Sequence, residues 1–355
     1  MKEKVMNELR QQCIRRLTLV EIEKICTNAF LRYGIPERDR KIVTKRIVDA
    51  ERDGCKSHGL FRLPGLVRGI KMGKVNPIPR RITSNPKTST ILVDCDRGLA
   101  APGFEDGYDL LVKRARSYGI AILTLKNACH FHTLRHEVES LASVGLIGLS
   151  AVTTKAFVAP PGGGANMIYG TNPMSFGWPR GNNTPPLIFD QASSAMARGE
   201  IAMAAEEGRT LPPGAAVDRN GEPTVDPTEA LDGAQLPFGG HKGASIALMI
   251  ELLASAAGSP FSFEQRETDI DPTSTTPTAS GQIVVAISPE GLRSTEDTES
   301  SFLARNENLF RMITESGPDA RLPGSSRIAI RKRSENEGVE IPNNLYEECV
   351  ALGAV

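Results

Sequence analysis

Apolar residues near the N-terminus recur at helical spacing, after the capping-box pattern Thr18-Leu-Val-Glu21. The apolar positions of this first series are Leu19, Ile22, Ile25, Ala29 and Phe30. Gly34 ends the predicted helix, and Pro36 begins a second one that stops before Gly54. The apolar stripe of the second helix contains Ile42, Val43 and Ile47. Roughly the first 70 residues are therefore predicted to form a helical lobe.

From Thr90 the pattern changes to short apolar runs of the kind that strands show. The runs predicted as strands are residues 91–93, 120–125, 146–152, 187–189 and 282–287. Helices are predicted at 195–207, 244–257 and 302–313, and before Gly119, where Leu110, Leu111 and Ala115 lie. The helix at 244–257 is apolar on nearly all sides, which predicts that it is buried. A loop rich in Thr, Pro, Ser and Asp is predicted at 269–281.

Composition and charge narrow the function classes. The chain has 355 residues with 42 basic and 42 acidic side chains, so no charge excess favours a nucleic-acid or membrane partner. The basic run Arg331-Lys332-Arg333 is predicted to be a solvated face. The longest apolar stretch, 246–257, is too short for a membrane span, and the charged N-terminus lacks a signal-peptide pattern. The six cysteines show no CxxC spacing. We expect a cytoplasmic protein.

His58 and Arg62 form the first candidate for chemistry. An imidazole can donate or accept a proton near neutral pH, and a guanidinium grips a carboxylate with two parallel hydrogen bonds. If the turn after the second helix continues helically, the two side chains lie on one face. The alternative is an exposed helix end with an unpaired arginine, and spacing alone does not decide between them.

Three further histidines follow the predicted strand at 120–125. His130, His132 and His136 allow a zinc site, because an H-x-H pair at a strand end is common in zinc hydrolases. Asp190 or Glu200 could supply the acidic ligand that this alternative needs. Either acid could instead fix the tautomer of a catalytic histidine, or simply act as a helix-terminus charge. We favour the interpretation in which these residues bind no metal ion.

The segment Gly239-Gly240-His241-Lys242-Gly243 leads directly into the apolar helix at 244–257. The amides and the positive dipole end of a helix N-terminus suit a phosphate, and Lys242 adds charge. The spacing is not that of a Walker loop, and no GxGxxG follows a predicted strand, so nothing supports a Rossmann domain. An anion site and a plain helix-entry turn both remain open.

Taken together, these segments resemble the malate/L-lactate dehydrogenase type-2 family over about residues 17–327. The segments that carry the resemblance are Asp53-Gly-Cys-Lys-Ser-His58-Gly-Leu-Phe-Arg62-Leu-Pro-Gly65, His130-Phe131, Tyr169-Gly-Thr171-Asn-Pro173, Phe189-Asp190-Gln-Ala-Ser-Ser194, Leu236-Pro-Phe-Gly-Gly-His241-Lys242-Gly243 and Arg321-Leu-Pro-Gly324. The Leu236–Gly243 segment and Phe261-Ser-Phe-Glu264 are most similar to the Δ1-piperideine-2-carboxylate/Δ1-pyrroline-2-carboxylate reductase branch.

The resemblance implies an α/β (α+β) fold with a non-Rossmann NAD(P)-binding domain on a largely antiparallel sheet. The expected regions are a helical lobe at 1–80, joined by the tail 320–355, a substrate or core region at 81–130, and the cofactor domain at 131–320. It also implies a homodimer and NADPH, with NADH as the alternative cofactor. Arg321, Ser325, Ser326 and Arg327 could receive a 2′-phosphate.

The resemblance also implies roles for individual residues. In the imine-reductase branch His58 is the catalytic histidine, Glu200 supports it, and Arg62 and Thr171 hold the substrate. The residues expected to line the cofactor are His130, Phe131, His132, Thr133, Leu134, Asp190, Gln191, Ala192, His241, Lys242, Arg321, Leu322, Pro323, Gly324, Ser325, Ser326 and Arg327. In the ureidoglycolate branch the histidine matching His130 is instead the acid/base, so its role stays open.

The favoured activity is NADPH-dependent reduction of a small cyclic imino acid to L-pipecolate or L-proline. The nearest rival is a 2-hydroxyacid dehydrogenase of the same family, acting on malate, lactate, sulfolactate or ureidoglycolate. A non-catalytic nucleotide-binding protein is a third alternative. Two departures affect the substrate and cofactor contacts: Thr153-Thr154-Lys155 stands where many relatives carry Thr-Asn-Ser, and His132 stands where a small residue is usual.

Overall fold

The computed structural model describes residues 14–181, 184–267, 278–293 and 298–354. The chain has a mixed α/β architecture, as predicted. Its described residues divide into two compact units, a smaller one of residues 14–78 with 326–354 and a larger one of residues 79–325. The expected regions 81–130 and 131–320 both fall within the larger unit, and residues 326–354 of the expected tail fall within the smaller one.

Helices form most of the smaller unit. Helix α1 (Leu19–Arg32) begins at the predicted capping box, in which the Glu21 carboxylate accepts the Thr18 backbone N–H at 2.7 Å. Helix α2 (Glu37–Arg52) begins after Pro36, and α3 (Leu63–Lys71) follows two short 3-10 turns. The largest buried side chains of this unit are Ile22, Phe30, Ile47, Leu60, Leu63 and Leu66. The two predicted N-terminal helices are confirmed.

A two-stranded antiparallel sheet joins the ends of the described chain within this unit. Strand β1 (Ile14–Leu17) pairs with β12 (Val339–Pro342), and Leu17 lies opposite Val339. Helix α11 (Ser325–Glu337) precedes β12, and α12 (Asn343–Gly353) follows it and packs against α1 and α3. The apolar pattern of the sequence did not predict either strand, because both are only four residues long.

The basic run on α11 differs from its prediction at one position. Lys332 and Arg333 are exposed, as expected of a solvated face. Arg331 is instead half-buried, and its Nε and Nη2 donate to the two carboxylate oxygens of Asp53 at 2.9 and 2.8 Å. A bidentate pair of this kind is among the stronger charge-assisted contacts. It attaches α11 to the end of α2, a contact that local sequence does not reveal.

The larger unit is built on a seven-stranded sheet. Its strands are β2 (Ile82–Lys87), β3 (Thr90–Asp94), β4 (Ile120–Cys129), β5 (Ile147–Val152), β6 (Met174–Trp178), β7 (Leu187–Gln191) and β11 (Ala279–Ile287). Their order in the sheet is β2-β3-β4-β11-β5-β6-β7. Only β3 and β4 pair in parallel, so the sheet is largely antiparallel. The five predicted strands are confirmed, whereas β2 and β6 were not predicted.

Helix α4 (Ala100–Tyr118) covers this sheet. Phe104 and Leu111 of the helix are buried in one cluster with Leu123 and Leu125 of β4. The helix approaches β4 so closely that a Cβ on Gly107 would lie 2.6 Å from a methyl group of Leu123. Helix α5 (Arg135–Ser143) packs against β5 and β6. Residues 130–134 connect the end of β4 to the start of α5.

Smaller elements complete the larger unit. Helix α6 (Arg198–Glu207) and helix α7 (Pro227–Asp232) pack together, beside a small sheet of β8 (Ala216–Val217), β9 (Pro223–Thr224) and β10 (Ala234–Gln235). Helix α8 (His241–Ala256) is followed by the short α9 (Ser262–Glu267), and α10 spans Glu299–Glu315. Most of the loop predicted at 269–281 lies outside the described residues, and its last three residues belong to β11.

The prediction that the helix at 244–257 is buried was wrong. One face of α8 packs on β5 and β11, with Ala244, Ala247 and Ile250 buried. The other face presents Leu248, Met249, Leu252 and Leu253 at 46%, 45%, 57% and 43% exposure. A helix that is apolar all round needs apolar neighbours on every side to be buried, and the described residues cover one side of α8 and leave the other exposed. No helix in the described part of the chain is both long enough and apolar enough to cross a bilayer.

Candidate active site

The turn that carries His58 and Arg62 is not one turn of α-helix. Residues Lys56–His58 and Leu60–Arg62 form two separate 3-10 turns, and Gly59 between them has φ −85° and ψ −140°. The condition under which the sequence placed both side chains on one helical face, a continuous helical turn, is therefore not met. The non-helical conformation of Gly59 interrupts the helix, and the close approach of Glu51 requires glycine there, because a Cβ would collide with the Glu51 side chain.

Glu51 lies beneath this turn, and sequence reasoning missed it. Its Oε1 accepts the Leu60 backbone N–H at 2.7 Å, and the side chain is buried. Burial raises the pKa of Glu51 to about 7, although the bond from Leu60 and the charge of Lys56 oppose the shift. The sequence did contain a sign that Glu51 is buried. Glu51 falls four residues after Ile47, so it places a carboxyl group on the apolar stripe of α2.

Ser57 is a second residue that the sequence analysis did not select. Its Oγ lies 3.1 Å from Nδ1 of His58, and Ser57 is itself buried. In the imidazolium form both ring nitrogens carry protons, so Nδ1 can donate to the Ser57 hydroxyl while Nε2 carries the second acidic proton. In that form the pair allows His58 to act as a proton donor through Nε2. The only signal in the sequence was the adjacency of a hydroxyl residue to the histidine.

Arg62 is half-buried and is held by the backbone of its own turn. Its Nε donates to the Ser57 carbonyl at 2.7 Å. Burial lowers the pKa of Arg62 to about 10, so the guanidinium stays charged at neutral pH. Among the described residues, no carboxylate forms an ion pair with it. The bond through Nε leaves the two terminal nitrogens for an anionic ligand, the geometry in which arginine grips a carboxylate.

In the larger unit, the residues after β4 form a tight turn. Asn127, His130 and His132 all have positive φ angles, which side chains other than glycine adopt rarely. His130 Nε2 lies 3.2 Å from His132 Nδ1, and the two rings meet edge to face at 4.1 Å between centroids. His132, Thr133 and Leu134 are buried, whereas His130 and Phe131 are half-buried. The additional His132 thus packs directly on His130.

Asp190 links this turn to the end of β7. Its Oδ2 accepts the backbone N–H of Arg135, the first residue of α5, at 3.2 Å. The carboxylate therefore lies at a helix N-terminus, where negative charge is favourable. Gln191 is exposed and Ala192 is half-buried. The structure thus brings two of the predicted cofactor segments, His130–Leu134 and Asp190–Ala192, next to each other.

Thr171 and the glycine-rich entry to α8 lie beside the second of these segments. The Thr171 carbonyl accepts hydrogen bonds from Ser193 N and Oγ at 2.8 and 2.9 Å. The Ser193 carbonyl in turn accepts the Phe238 N–H at 3.0 Å. Gly239 and Gly240 have φ angles of +56° and +62°, and Lys242 lies exposed in the first turn of the 16-residue α8. These bonds connect Thr171, 190–193 and 238–242.

A buried polar network supports the backbone of Thr171. Thr154 Oγ1 accepts the Thr171 N–H at 3.0 Å and lies 3.2 Å from Thr171 Oγ1. The side chain of the next residue, Asn172, donates to the buried Glu251 of α8 at 2.7 Å. Ser262 also bonds to this carboxylate, through its N–H at 3.0 Å. Thr154 and Glu251 were not predicted as site residues, although Thr154 lies in one of the two segments that depart from the family pattern.

Glu200 is exposed near the start of α6, where its Oε2 accepts the Ala197 backbone N–H at 3.3 Å. This is the helix-terminus role that the sequence left open as an alternative. Among the described residues, no three His, Cys, Asp or Glu side chains are grouped so that they could hold a metal ion. The zinc alternative built on His130, His132 and His136 therefore has no ligand group in that part of the chain.

The residues expected to contact a 2′-phosphate lie where the two units meet in sequence. Arg321 and Ser325 are exposed and belong to the larger unit, and Gly324 has φ +74°. Ser326 and Arg327 begin the smaller unit's share of α11; Ser326 is exposed and Arg327 is half-buried.

Comparison with known proteins shows to which family this chain belongs. The family model described as malate/L-lactate dehydrogenase matches residues 17–349. The chain belongs to this family. It is an oxidoreductase of the malate/L-lactate dehydrogenase group, and the resemblance read from its motifs is confirmed.

Several relatives of this chain carry the names of cyclic imino acid reductases. The chain is 40% identical over 338 residues to a Δ1-pyrroline-2-carboxylate/Δ1-piperideine-2-carboxylate reductase of Pseudomonas aeruginosa, covering 95% of this chain and 99% of the relative. It is 38% identical over 340 residues to Δ1-pyrroline-2-carboxylate reductase 1 of Burkholderia ambifaria, covering 95% and 97%. The crystal structure of Δ1-piperideine-2-carboxylate reductase from Pseudomonas syringae matches with a TM-score of 0.86 at 34% identity, covering 95% and 99%.

Proposed function

We propose that this member of the malate/L-lactate dehydrogenase family reduces a cyclic imino acid, Δ1-pyrroline-2-carboxylate or Δ1-piperideine-2-carboxylate, to L-proline or L-pipecolate. The single observation that carries the proposal is the half-buried Arg62, whose guanidinium has no protein carboxylate as partner in the described chain and sits four residues from His58. A ligand with a carboxylate beside its reactive carbon satisfies both groups. The names of the relatives support this choice of substrate.

In this scheme Arg62 binds the substrate carboxylate through its terminal nitrogens and so fixes the position of C2. Orientation of a reacting carbon in this way can supply much of a rate enhancement. Thr171, whose hydroxyl oxygen lies 3.2 Å from that of Thr154, stays a substrate-binding residue predicted from the family resemblance. His58, as an imidazolium whose Nδ1–H faces Ser57 Oγ, donates from Nε2 the proton that the substrate nitrogen gains, and is left as the neutral imidazole. Support of His58 by Glu200, and an acid/base role for His130, remain predictions.

The cofactor we propose is NADPH, which when bound supplies the hydride that C2 accepts. The residues of the larger unit fit a dinucleotide: Gly239 and Gly240 form a turn with positive φ, and Lys242 adds a cation at the N-terminus of α8. The adjoining segments 130–134 and 190–192 would line the rest of the cofactor. Residues 321–327 carry two arginines and two serines, a donor set suited to the 2′-phosphate that distinguishes NADPH from NADH.

The family name supports one rival activity, the interconversion of a 2-hydroxyacid and its 2-keto acid. Such a substrate also presents a carboxylate next to its reactive carbon. The purified protein with NADPH or NADH tests the two: we expect Δ1-piperideine-2-carboxylate or Δ1-pyrroline-2-carboxylate to be reduced with at least ~100-fold higher kcat/KM than oxaloacetate or pyruvate, a difference of about 2.7 kcal/mol in transition-state binding. Turnover of the keto acids alone would reject the imine-reductase proposal.

We also propose that the protein forms a homodimer through α8. Its exposed face of Leu248, Met249, Leu252 and Leu253 is the kind of contiguous apolar surface that marks a protein interface. Light scattering after gel filtration should give a mass near twice 38.3 kDa. Leu252→Glu should shift this mass toward the monomer, whereas an unchanged mass would place the interface elsewhere.

A further inference from the structure

Glu51 of α2 has a place in the smaller unit that the proposed function does not yet use. It is 3% exposed, and its Oε1 accepts the backbone N–H of Leu60 at 2.7 Å. Leu60 lies midway between His58 and Arg62 in the chain. The second oxygen, Oε2, has no hydrogen-bond partner in the described residues. The one hydrogen bond that the described residues make to this buried carboxyl group therefore comes from the turn that carries the two proposed active-site residues.

The turn and the carboxyl group fit each other closely. A Cβ on Gly59 would collide with the Glu51 carboxylate, and the ψ of −140° at Gly59 separates the two 3-10 turns. On its other side, the Leu60 carbonyl accepts a hydrogen bond from the Cys349 thiol at 3.7 Å, a normal distance for sulfur. Leu60 is thus held at its N–H by α2 and at its carbonyl by α12.

An apolar side chain would suit the position of Glu51 better if packing were its only role. Val43 and Ile47 precede it on the same stripe, and both are fully buried. A buried carboxylate is costly unless it is well paired, and burial raises the pKa of Glu51 to about 7. The Leu60 N–H is the hydrogen-bond donor that the structure gives this acceptor. A carboxyl group at this point is explained if the turn requires the acceptor.

We propose that Glu51 is a positioning residue, whose carboxyl oxygen fixes the Gly59–Leu60 backbone and thereby sets where His58 and Arg62 meet the substrate. The proposal rests on the roles given to His58 and Arg62 under the proposed function. It predicts that the length of the side chain and its acceptor oxygen matter, while its negative charge does not.

Three variants and one control test the proposal. Glu51→Asp is one methylene shorter and draws the oxygen away from Leu60, so kcat/KM for the cyclic imino acid should fall about tenfold or more, with kcat lowered and KM raised. Gly59→Ala displaces the carboxyl group without removing it and should give the same signature. Glu51→Gln keeps an acceptor oxygen and should stay within about threefold of the wild type. Asp49→Asn changes a buried acid of the same helix that pairs with Lys45 and Arg52, and should leave both constants unchanged.

Hydrogen exchange at the Leu60 amide gives a readout that needs no turnover. Exchange should be faster in Glu51→Asp and Gly59→Ala than in the wild type or Glu51→Gln, while fluorescence titration should show that NADPH binding is retained. Wild-type kinetics in Glu51→Asp or in Gly59→Ala would overturn the proposal, and so would a Glu51→Gln variant as impaired as Glu51→Asp. If the wild type reduces keto acids and no imino acid, the proposed function fails, and the same comparison on the keto acid decides the role of Glu51.

Discussion

The hydroxyl oxygens of Thr154 and Thr171 lie 3.2 Å apart, and Thr154 Oγ1 also accepts the Thr171 backbone N–H. Since Thr154 already accepts one hydrogen bond, its own proton can be donated to Thr171 Oγ1, which leaves the Thr171 proton for the substrate. Thr154 therefore stands behind a proposed substrate-binding residue in a segment, Thr153-Thr154-Lys155, that departs from the pattern of many relatives.

Thr154→Val removes this hydroxyl with little change in shape. We expect KM for the imino acid to rise about fivefold, the equivalent of one neutral hydrogen bond of about 1 kcal/mol, with kcat much less affected. Steady-state kinetics would measure both constants. Thr154→Ser, which keeps the hydroxyl, is the matched control, and equal behaviour of the two variants would separate Thr154 from substrate binding.

Arg62→Ala should raise KM sharply, because it removes the cation proposed to hold the substrate carboxylate. Loss of a charge-assisted bidentate contact corresponds to about 100-fold in kcat/KM. Arg62→Lys should recover only part of the loss, since an ammonium group lacks the two-pronged geometry. Arg68→Ala, an exposed arginine on α3, provides the control. An Arg62→Ala enzyme with normal KM would remove the main support for the proposed function.

His58→Ala should chiefly lower kcat, because a positioned proton donor contributes about 10²–10⁴-fold to a rate. Ser57→Ala should lower kcat by less, since it removes the hydroxyl next to Nδ1 and leaves the imidazole in place. His130→Ala is the informative comparison. A greater loss of kcat in His130→Ala than in His58→Ala would transfer the acid/base role to His130.

Glu51 should make folding stability depend on pH. Its pKa is raised by burial from the ordinary value of 4.5 to about 7, so between these values the folded state binds more protons than the unfolded state. The contribution of Glu51 to the free energy of unfolding is therefore fully present below about pH 4.5 and is lost as pH rises through 7. The loss is on the order of 3 kcal/mol. Glu51→Gln cannot ionise and should lack this loss.

Urea unfolding of the wild type and Glu51→Gln at pH 5 and pH 8 checks this prediction. The variant should gain stability relative to the wild type at the higher pH. A difference between the two proteins that is the same at both pH values would show that the Glu51 carboxyl titrates normally in the folded protein.

Local pattern was sufficient for much of the fold. The capping box at Thr18, the start of α2 after Pro36 and the five predicted strands depend on residues within a few positions of each other, and the structure has them as expected. The motifs around His58, Asp190 and Lys242 likewise identified the family, because they are short segments in a fixed order.

Tertiary structure decided what depends on residues far apart in the chain. Strand β11 lies between β4 and β5 in the sheet, although it follows both of them in the sequence. Local pattern could not predict this strand order. Arg331 is paired rather than solvated because Asp53 meets it across 278 residues. The apolar helix α8 is exposed on one face because burial depends on how many neighbours the fold supplies, which a helical pattern cannot state.

The same division holds at the candidate site. The sequence by itself determined which residue types were available: an imidazole, a guanidinium, and a lysine at a glycine-rich helix start. Only the folded chain decided that Gly59 breaks the turn between His58 and Arg62, that Glu51 supports it, and that Thr154 orients Thr171. Hydrogen bonds require approach within about 3 Å, and such approach between distant residues is set by packing rather than by local pattern.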